Sequence, residues 1–386
     1  MNNRWRILAL LFCVRVSMAF QFQAVAALSP LMMDAYSLGL ADIGLMIGLY
    51  LSPGIVLSIP GGAIGRRYGE KSVVLAGLAL MAVGGLLAVT SSTWDMQIAG
   101  RILAGIGGVL LNVLMTKMVA DWFAGREVAT AMGIFVNSWP VGIALALVVL
   151  PPIALAAGLM AAMSVVTGLV VIGFIALGAL YRAPSSASAA PVADMPLRGV
   201  PLYGVLCAGA IWGLFNSSLG MIFGFGPAML SARGWSATAA SSTTSIVLWL
   251  VAISVPFGGF LADRIKRNDA VLATGLLMFT GALLLAARSE AVLACFVLLG
   301  LVAGLAAGPI MSLPSRVLVP GNRSVGMGVF YAVYYGLIFI APYLAGLLSE
   351  WLGRPEATFD MGAALLVTGI ALLALFRKLT RQSART

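Results

Sequence analysis

The sequence contains no histidine, and among its 386 residues there are only 13 acids and three cysteines. Without histidine, the usual neutral-pH proton relay and the commonest zinc ligand are missing. Cys13, Cys207 and Cys295 all lie inside hydrophobic runs, so they outline no disulfide framework and no metal-ligand spacing. Charged residues make up 9% of the chain. A soluble domain needs roughly 25% to cover its surface. No nucleophile–base pair and no phosphate-binding loop stands out, so an enzyme is not expected, and neither a cofactor nor a metal is called for.

What is present is apolar: 61% of the residues are hydrophobic. Such a chain is solvated by lipid, and runs of about 20 apolar residues cross a bilayer as helices. Twelve runs are legible, near 6–30, 41–64, 71–91, 96–120, 127–150, 153–181, 200–229, 237–261, 270–288, 290–316, 324–349 and 358–379. The first is too long for a cleavable leader and has no clear small-residue cleavage site. The expected fold is an all-α membrane protein with twelve transmembrane helices.

The net charge of +10 is not a nucleic-acid footprint. Basic residues gather at the amino end (Arg4, Arg6), in alternate loops (Arg66, Arg67, Lys71, Lys117, Arg126, Arg182, Arg198, Arg264, Lys266, Arg267, Arg316, Arg323) and in the tail (Arg377, Lys378, Arg381, Arg385). The other set of loops has only Arg233, Arg288 and Arg354. By the positive-inside rule this places both termini in the cytoplasm of a multi-pass plasma-membrane protein, the bacterial inner membrane being the expected one.

The chain also repeats itself. Gly62-Ala-Ile-Gly-Arg-Arg67-Tyr-Gly69-Glu-Lys71 closes the second run, and Gly259-Phe-Leu-Ala-Asp263-Arg264-Ile-Lys-Arg267 closes the eighth, with leading glycines 197 positions apart. A Pro-, Ser- and Ala-rich segment at 182–199 lies between six runs and six. The organisation is therefore read as two pseudo-symmetric six-helix bundles, 1–181 and 200–386, joined by a cytoplasmic linker. Gly100, Ala104 and Gly108 in run four, and Gly300, Gly304 and Gly308 in run ten, form flat small-residue stripes suited to close helix packing.

These features resemble the major facilitator superfamily. In that family a Gly-x-Leu-Ala-Asp-Arg-x-Gly-Arg-Lys loop follows spans two and eight. The second copy here keeps Gly259, Leu261, Ala262, Asp263 and Arg264; the first keeps Gly62, Arg67, Gly69 and Lys71, with Arg66 where the acid is expected. Arg101 ahead of Gly105 and Gly108 matches the family's span-four arginine and glycine pair. The stretch from Trp122 to Gly133 is similar to the span four–five junction of nitrate/nitrite porters, cyanate-permease-like carriers and the haem/choline carrier group. The resemblance implies a secondary transporter working by alternating access.

Physically, the Asp263 carboxylate is suited to a conformational latch with Gly62, Arg67, Gly259 and Arg264, accepting bonds from a neighbouring helix end in one state only. A solvated basic loop is the alternative. Arg101, Gly105 and Gly108 are structural or gating candidates.

Arg15 is the most telling residue for function. It lies about ten residues into the first run, where an arginine costs roughly 2.5–3.5 kcal/mol to insert, and no acid is near it in sequence. It either binds an anion in a central cavity or snorkels and bonds to carbonyls. Gln23 shares its face at i+8. Asn112, Asn137, Trp212, Asn216, Tyr331 and Tyr335 are further candidate substrate contacts; the alternative is an interhelical hydrogen bond for Asn112 and ordinary core packing for the aromatic residues. Trp212 corresponds to Arg15 by the 197-residue offset. All thirteen acids fall in loops or at span ends, which argues for uniport or exchange of a small organic or inorganic anion, with proton symport through the substrate itself, or through a span-end acid such as Asp34, left open. Efflux of amphipathic or cationic compounds is the alternative, consistent with 19 methionines. The partners expected are a small, anionic molecule and the lipid bilayer, with no nucleic acid, and a monomer suffices for one pathway.

Overall fold

The computed structural model describes residues 3–90, 93–123, 128–183, 197–265, 267–319 and 322–383. Residues 184–196 of the expected linker lie outside the described residues, as do the Asp263 side chain and the surroundings of Gly62.

Eleven helical segments among the described residues are long and apolar enough to cross a membrane. They are Arg4–Ala27 (span 1), Leu40–Leu57 (span 2), Glu70–Thr90 (span 3), Trp94–Trp122 (span 4), Ile134–Leu180, Val200–Ala232 (span 7), Ala237–Ala262 (span 8), Asn268–Ala286 (span 9), Val292–Arg316 (span 10), Val325–Leu352 (span 11) and Ala357–Thr380 (span 12). At about 1.5 Å per residue the 47 residues of Ile134–Leu180 would be about 70 Å long, more than twice the roughly 30 Å apolar core of a bilayer. They do not run straight. Gly158 takes φ 87° and ψ 165°, a conformation essentially confined to glycine, and reverses the chain into spans 5 and 6. Twelve crossings result, in two six-helix halves.

This turn corrects the sequence reading, which ended the fifth run at 150 and began the sixth at 153, on either side of Pro151 and Pro152. Both prolines stay inside the helix. Proline already has the helical φ, so it kinks a helix without forcing reversal. Span 10 also departs from a single helix. It is α-helical to Ala303, then passes through 3₁₀ turns at Gly304–Ala306 and Pro314–Arg316 around the short helix Ala307–Met311. Gly304, Gly308, Pro309 and Pro314 fall in this stretch, and each weakens the i→i−4 ladder.

Glycines set the closest packing. In the first half, Gly77 and Gly84 of span 3 meet the backbone of Gly107 and Gly100 in span 4, while Gly142 of span 5 meets Val16 and Ala19 of span 1. In the second half, Gly300 and Gly304 of span 10 lie against Val247, Leu250 and Ser254 of span 8. With no apolar driving force between helices in lipid, this backbone approach supplies the van der Waals contact that holds the bundle.

The halves meet along three lines. Span 2 runs against span 11, with Gly44 on Pro342, Gly48 on Phe339 and Gly54 on the Tyr335 ring. Spans 5 and 8 pack against each other, the pseudo-symmetric counterpart of that pair. Spans 1 and 7 touch between them. The side chain of Gln23 donates to the Phe223 carbonyl at 2.6 Å, and Ser241 donates to the Ala27 carbonyl. The ends of spans 7, 9, 11 and 12 away from the repeat loops are tied by Arg233–Glu356, Arg288–Asp360 and Arg354–Asp360 ion pairs.

Candidate functional site

Arg15 projects from span 1 into the contact between spans 4 and 5 and is 9% exposed. Its Nε and Nη2 both donate to Asn112 Oδ1, at 3.1 and 2.9 Å. Its Nη1 donates to the Phe135 carbonyl at 3.1 Å and to Ser138 Oγ at 3.4 Å. The guanidinium also lies over the Phe135 ring, 4.7 Å from its centroid. Span 5 can supply that carbonyl because the helix is interrupted at Asn137, between Val128–Val136 and Ser138–Leu180. All of these partners are neutral, and among the described residues no carboxylate pairs with Arg15. The site therefore holds a permanent positive charge that is oriented but not neutralised.

Asn112 extends the network across the halves. Its Nδ2 donates to the Tyr335 hydroxyl of span 11 at 3.4 Å. Tyr335 belongs to an aromatic cluster: its ring is 4.9 Å from that of Tyr334 and 6.4 Å from that of Tyr331. Trp212 of span 7 stacks on Tyr334 at 6.2 Å and on Phe215 at 5.6 Å. A line of contacts thus leads from the Arg15 cation, through an amide and a phenol, to a wall of ring faces. The Tyr331 and Tyr334 hydroxyls make no hydrogen bond among the described residues, leaving two phenol donors beside that wall.

The remaining candidates sit elsewhere. Gln23 is fully buried between spans 1 and 7, away from the Arg15 partners, and its Oε1 has no hydrogen-bond partner. Asn216 donates to the carbonyl of Trp212 one turn earlier, as an ordinary back-bond within span 7. Asn137 is half-buried at the interruption of span 5. Arg101 is 6% exposed and grips the carbonyls of Met46 (2.8 Å), Gln21 (3.0 Å) and Phe22, with its guanidinium 4.6 Å from the Tyr50 ring centroid. Gly105 and Gly108 give Tyr50 room beside it. This group clamps span 4 to spans 1 and 2.

In the repeat loops, Arg67 lies over the Tyr68 ring and Arg264 over the Phe260 ring, each of them exposed. Gly259 approaches Gly308.

Sequence reasoning did not find Ser138, Phe135 or Tyr334. Ser138 and Phe135 carry no local signal, since a serine and a phenylalanine are ordinary in an apolar helix. Tyr334 was findable, lying next to Tyr335 and a turn from Tyr331. Also missed was the Glu350 carboxylate at the end of span 11, whose Oε1 accepts the Ala41 N–H at 2.8 Å in the first turn of span 2.

Twelve apolar crossings in two repeated halves, meeting at a buried polar centre, define a helical membrane transporter. A family model described as the Major Facilitator Superfamily matches residues 11–226 and, separately, 203–386. The chain belongs to that family. It is similar to the human choline/ethanolamine transporter FLVCR2, 22% identical over 155 residues, covering 39% of this chain and 29% of that protein. It is also similar to the methylenomycin A resistance protein of Bacillus subtilis, 28% identical over 120 residues, 28% of this chain and 26% of that protein. The matched stretch therefore spans less than a third of each of these relatives. Among solved structures, a bacterial homologue of the human lysosomal transporter Spinster, inward-facing and occupied, superposes with a TM-score of 0.76. It is 15% identical and covers 100% of this chain and 98% of its own. That likeness concerns the fold.

Proposed function

We propose that this protein carries a small organic or inorganic anion across the membrane, by uniport, exchange or symport, with Arg15 as the charge that recognises it. The observation that carries the reading is the Arg15 guanidinium: buried, held by Asn112, Phe135 and Ser138, and without an acid partner among the described residues. A buried charge left without a counter-ion is costly, and an anionic substrate relieves that cost on arrival. Asn112 and Tyr335 supply further hydrogen bonds, and because Tyr335 comes from the second half, a ligand seated there touches both halves. Rocking of spans 1–6 against spans 7–12 then exposes the site to each side in turn. The chain works as a monomer in the plasma membrane with both termini in the cytoplasm.

A second reading is efflux of cationic or amphipathic compounds. The ring faces of Trp212, Tyr331, Tyr334 and Tyr335 favour it, since such faces attract cations. So do the names of the relatives, one a choline/ethanolamine transporter and one a drug-resistance protein.

Uptake into proteoliposomes separates the two. A labelled panel of carboxylates, nitrate, nitrite and cyanate is run beside choline and ethanolamine, for the native protein and Arg15→Ala, with and without a pH gradient. Saturable anion uptake lost in the variant is the expected result. Choline or ethanolamine uptake that survives Arg15→Ala, with no anion transported, would replace the anion reading with the cationic one.

A further inference from the structure

A second polar site lies apart from the central one, at the bundle end that carries the repeat loops. The start of span 9 and the final turns of spans 10 and 12 enclose a cleft of about 670 Å³. Its charged lining is Arg267, Asp269, Arg316 and Arg377, with Ala270 and Ala273 keeping it open. Asp269 holds two of the arginines side by side: Oδ1 accepts from Arg316 Nη1 at 2.6 Å, and Oδ2 pairs with Arg377 Nε at 3.2 Å. Each of these guanidiniums keeps further N–H groups unused. The Arg267 guanidinium makes no hydrogen bond or ion pair among the described residues, while its main-chain carbonyl accepts from the Ala270 and Val271 N–H groups. Two of the three cations engage the one carboxylate, the third has no counter-ion, and the cleft has two positive charges in excess.

We propose that this cleft binds a phosphate group. Arginine forks match tetrahedral phosphate oxygens and bond them in pairs. The N–H groups of the first turn of span 9 add to the same field. The cleft sits where three apolar spans end, the depth at which lipid headgroups lie, so the phosphate of an anionic lipid is the source its position favours. A phosphate there bridges Arg267, in the loop between spans 8 and 9, to Arg316 and Arg377 at the ends of spans 10 and 12. Binding consequently stiffens the second half at its repeat-loop end. This site neither uses nor requires the anion reading of Arg15.

Arg267→Gln is the clean variant, because the Arg267 guanidinium has no internal partner to lose. Lys378→Gln is its control. It removes the same charge from the same end of span 12, and Lys378 is exposed and not part of the cleft lining. The full chain, purified in neutral detergent, is titrated with phosphatidylglycerol, with phosphatidylcholine, and separately with inorganic phosphate, while its melting temperature is followed. Phosphatidylglycerol but not phosphatidylcholine is expected to raise it. Arg267→Gln should weaken the apparent affinity by about fivefold, with Lys378→Gln close to native. The same pattern with inorganic phosphate instead of phosphatidylglycerol also supports a phosphate site and makes its ligand soluble. Equal weakening by both variants, or no stabilisation by either phosphate source, overturns the proposal.

Discussion

Arg15 and Arg101 are both buried arginines in the first half, yet they are satisfied differently, and the difference predicts different phenotypes. Arg101 spends its donors on three main-chain carbonyls of spans 1 and 2. Lysine keeps the charge but not the fork, so Arg101→Lys should cost about 2 kcal/mol of stability. Thermal melting would show it, with substrate affinity in the surviving fraction unchanged. Arg15 instead rests its Nε and Nη2 on one side-chain amide oxygen. Asn112→Asp would put a carboxylate there, neutralise the cation and compete with any anion. Anion uptake should then fall by about tenfold or more while the melting temperature holds or rises. Uptake that is unchanged in this variant would take Arg15 out of the recognition site. Arg15 was legible in the sequence as a charge inside an apolar run, and Arg101 by its resemblance to the family's span-four arginine. Their partners were not, because Asn112 and Ser138 lie 97 and 123 positions from Arg15 and nothing local connects them.

At the scale of the element, the lesson concerns what ends a helix. The apolar runs were divided between 150 and 153, but the reversal falls at Gly158, where φ is 87°. A Cβ at Gly158 would meet no neighbouring atom within 4 Å, so the penalty of Gly158→Ala is one of backbone conformation alone. It should be about 1–3 kcal/mol, measured as a lower melting temperature with transport intact at permissive temperature. The contact of span 2 with span 11 depends on glycine for the opposite reason. A Cβ on Gly44 or Gly48 would run into the carbonyls of Pro342 or Phe339, so alanine at either position should force the two spans apart. The small-residue spacing of spans 4 and 10 was readable in advance; the part played by Gly44 and Gly48, and which helix each glycine faces, was not.

For the whole molecule, the important contacts are those that one conformation has and the other loses. Glu350 at the end of span 11 accepts the Ala41 N–H at the start of span 2, at the bundle end away from the repeat loops. A carboxylate on a helix N-terminus is stabilised by about 0.3–1 kcal/mol, so it biases the two halves towards closure at that end. Glu350→Gln should raise the population open there by about two- to fivefold. Spin labels at the exposed positions Ser37 and Trp351 would report this as a larger long-distance fraction. An unchanged distance distribution would make Glu350 a surface cap and no more.

The sequence by itself determined the class of this protein. Its shortage of charge demands a lipid environment, its twelve apolar runs set the number of crossings, and its repeated loops, 197 positions apart, reveal the two halves. Each of these depends on composition or spacing along the chain, which needs no neighbour to be read. Tertiary structure alone decided which carbonyls hold Arg101, which amide holds Arg15, and where Glu350 docks. The reason is the solvent. In water, an amphipathic helix announces its buried face through its polar one, but in a bilayer both faces are apolar and association rests on close packing and scattered hydrogen bonds. Helix orientation therefore leaves little periodic trace in the sequence, and the site emerges only when spans 1, 4, 5 and 11 are brought together.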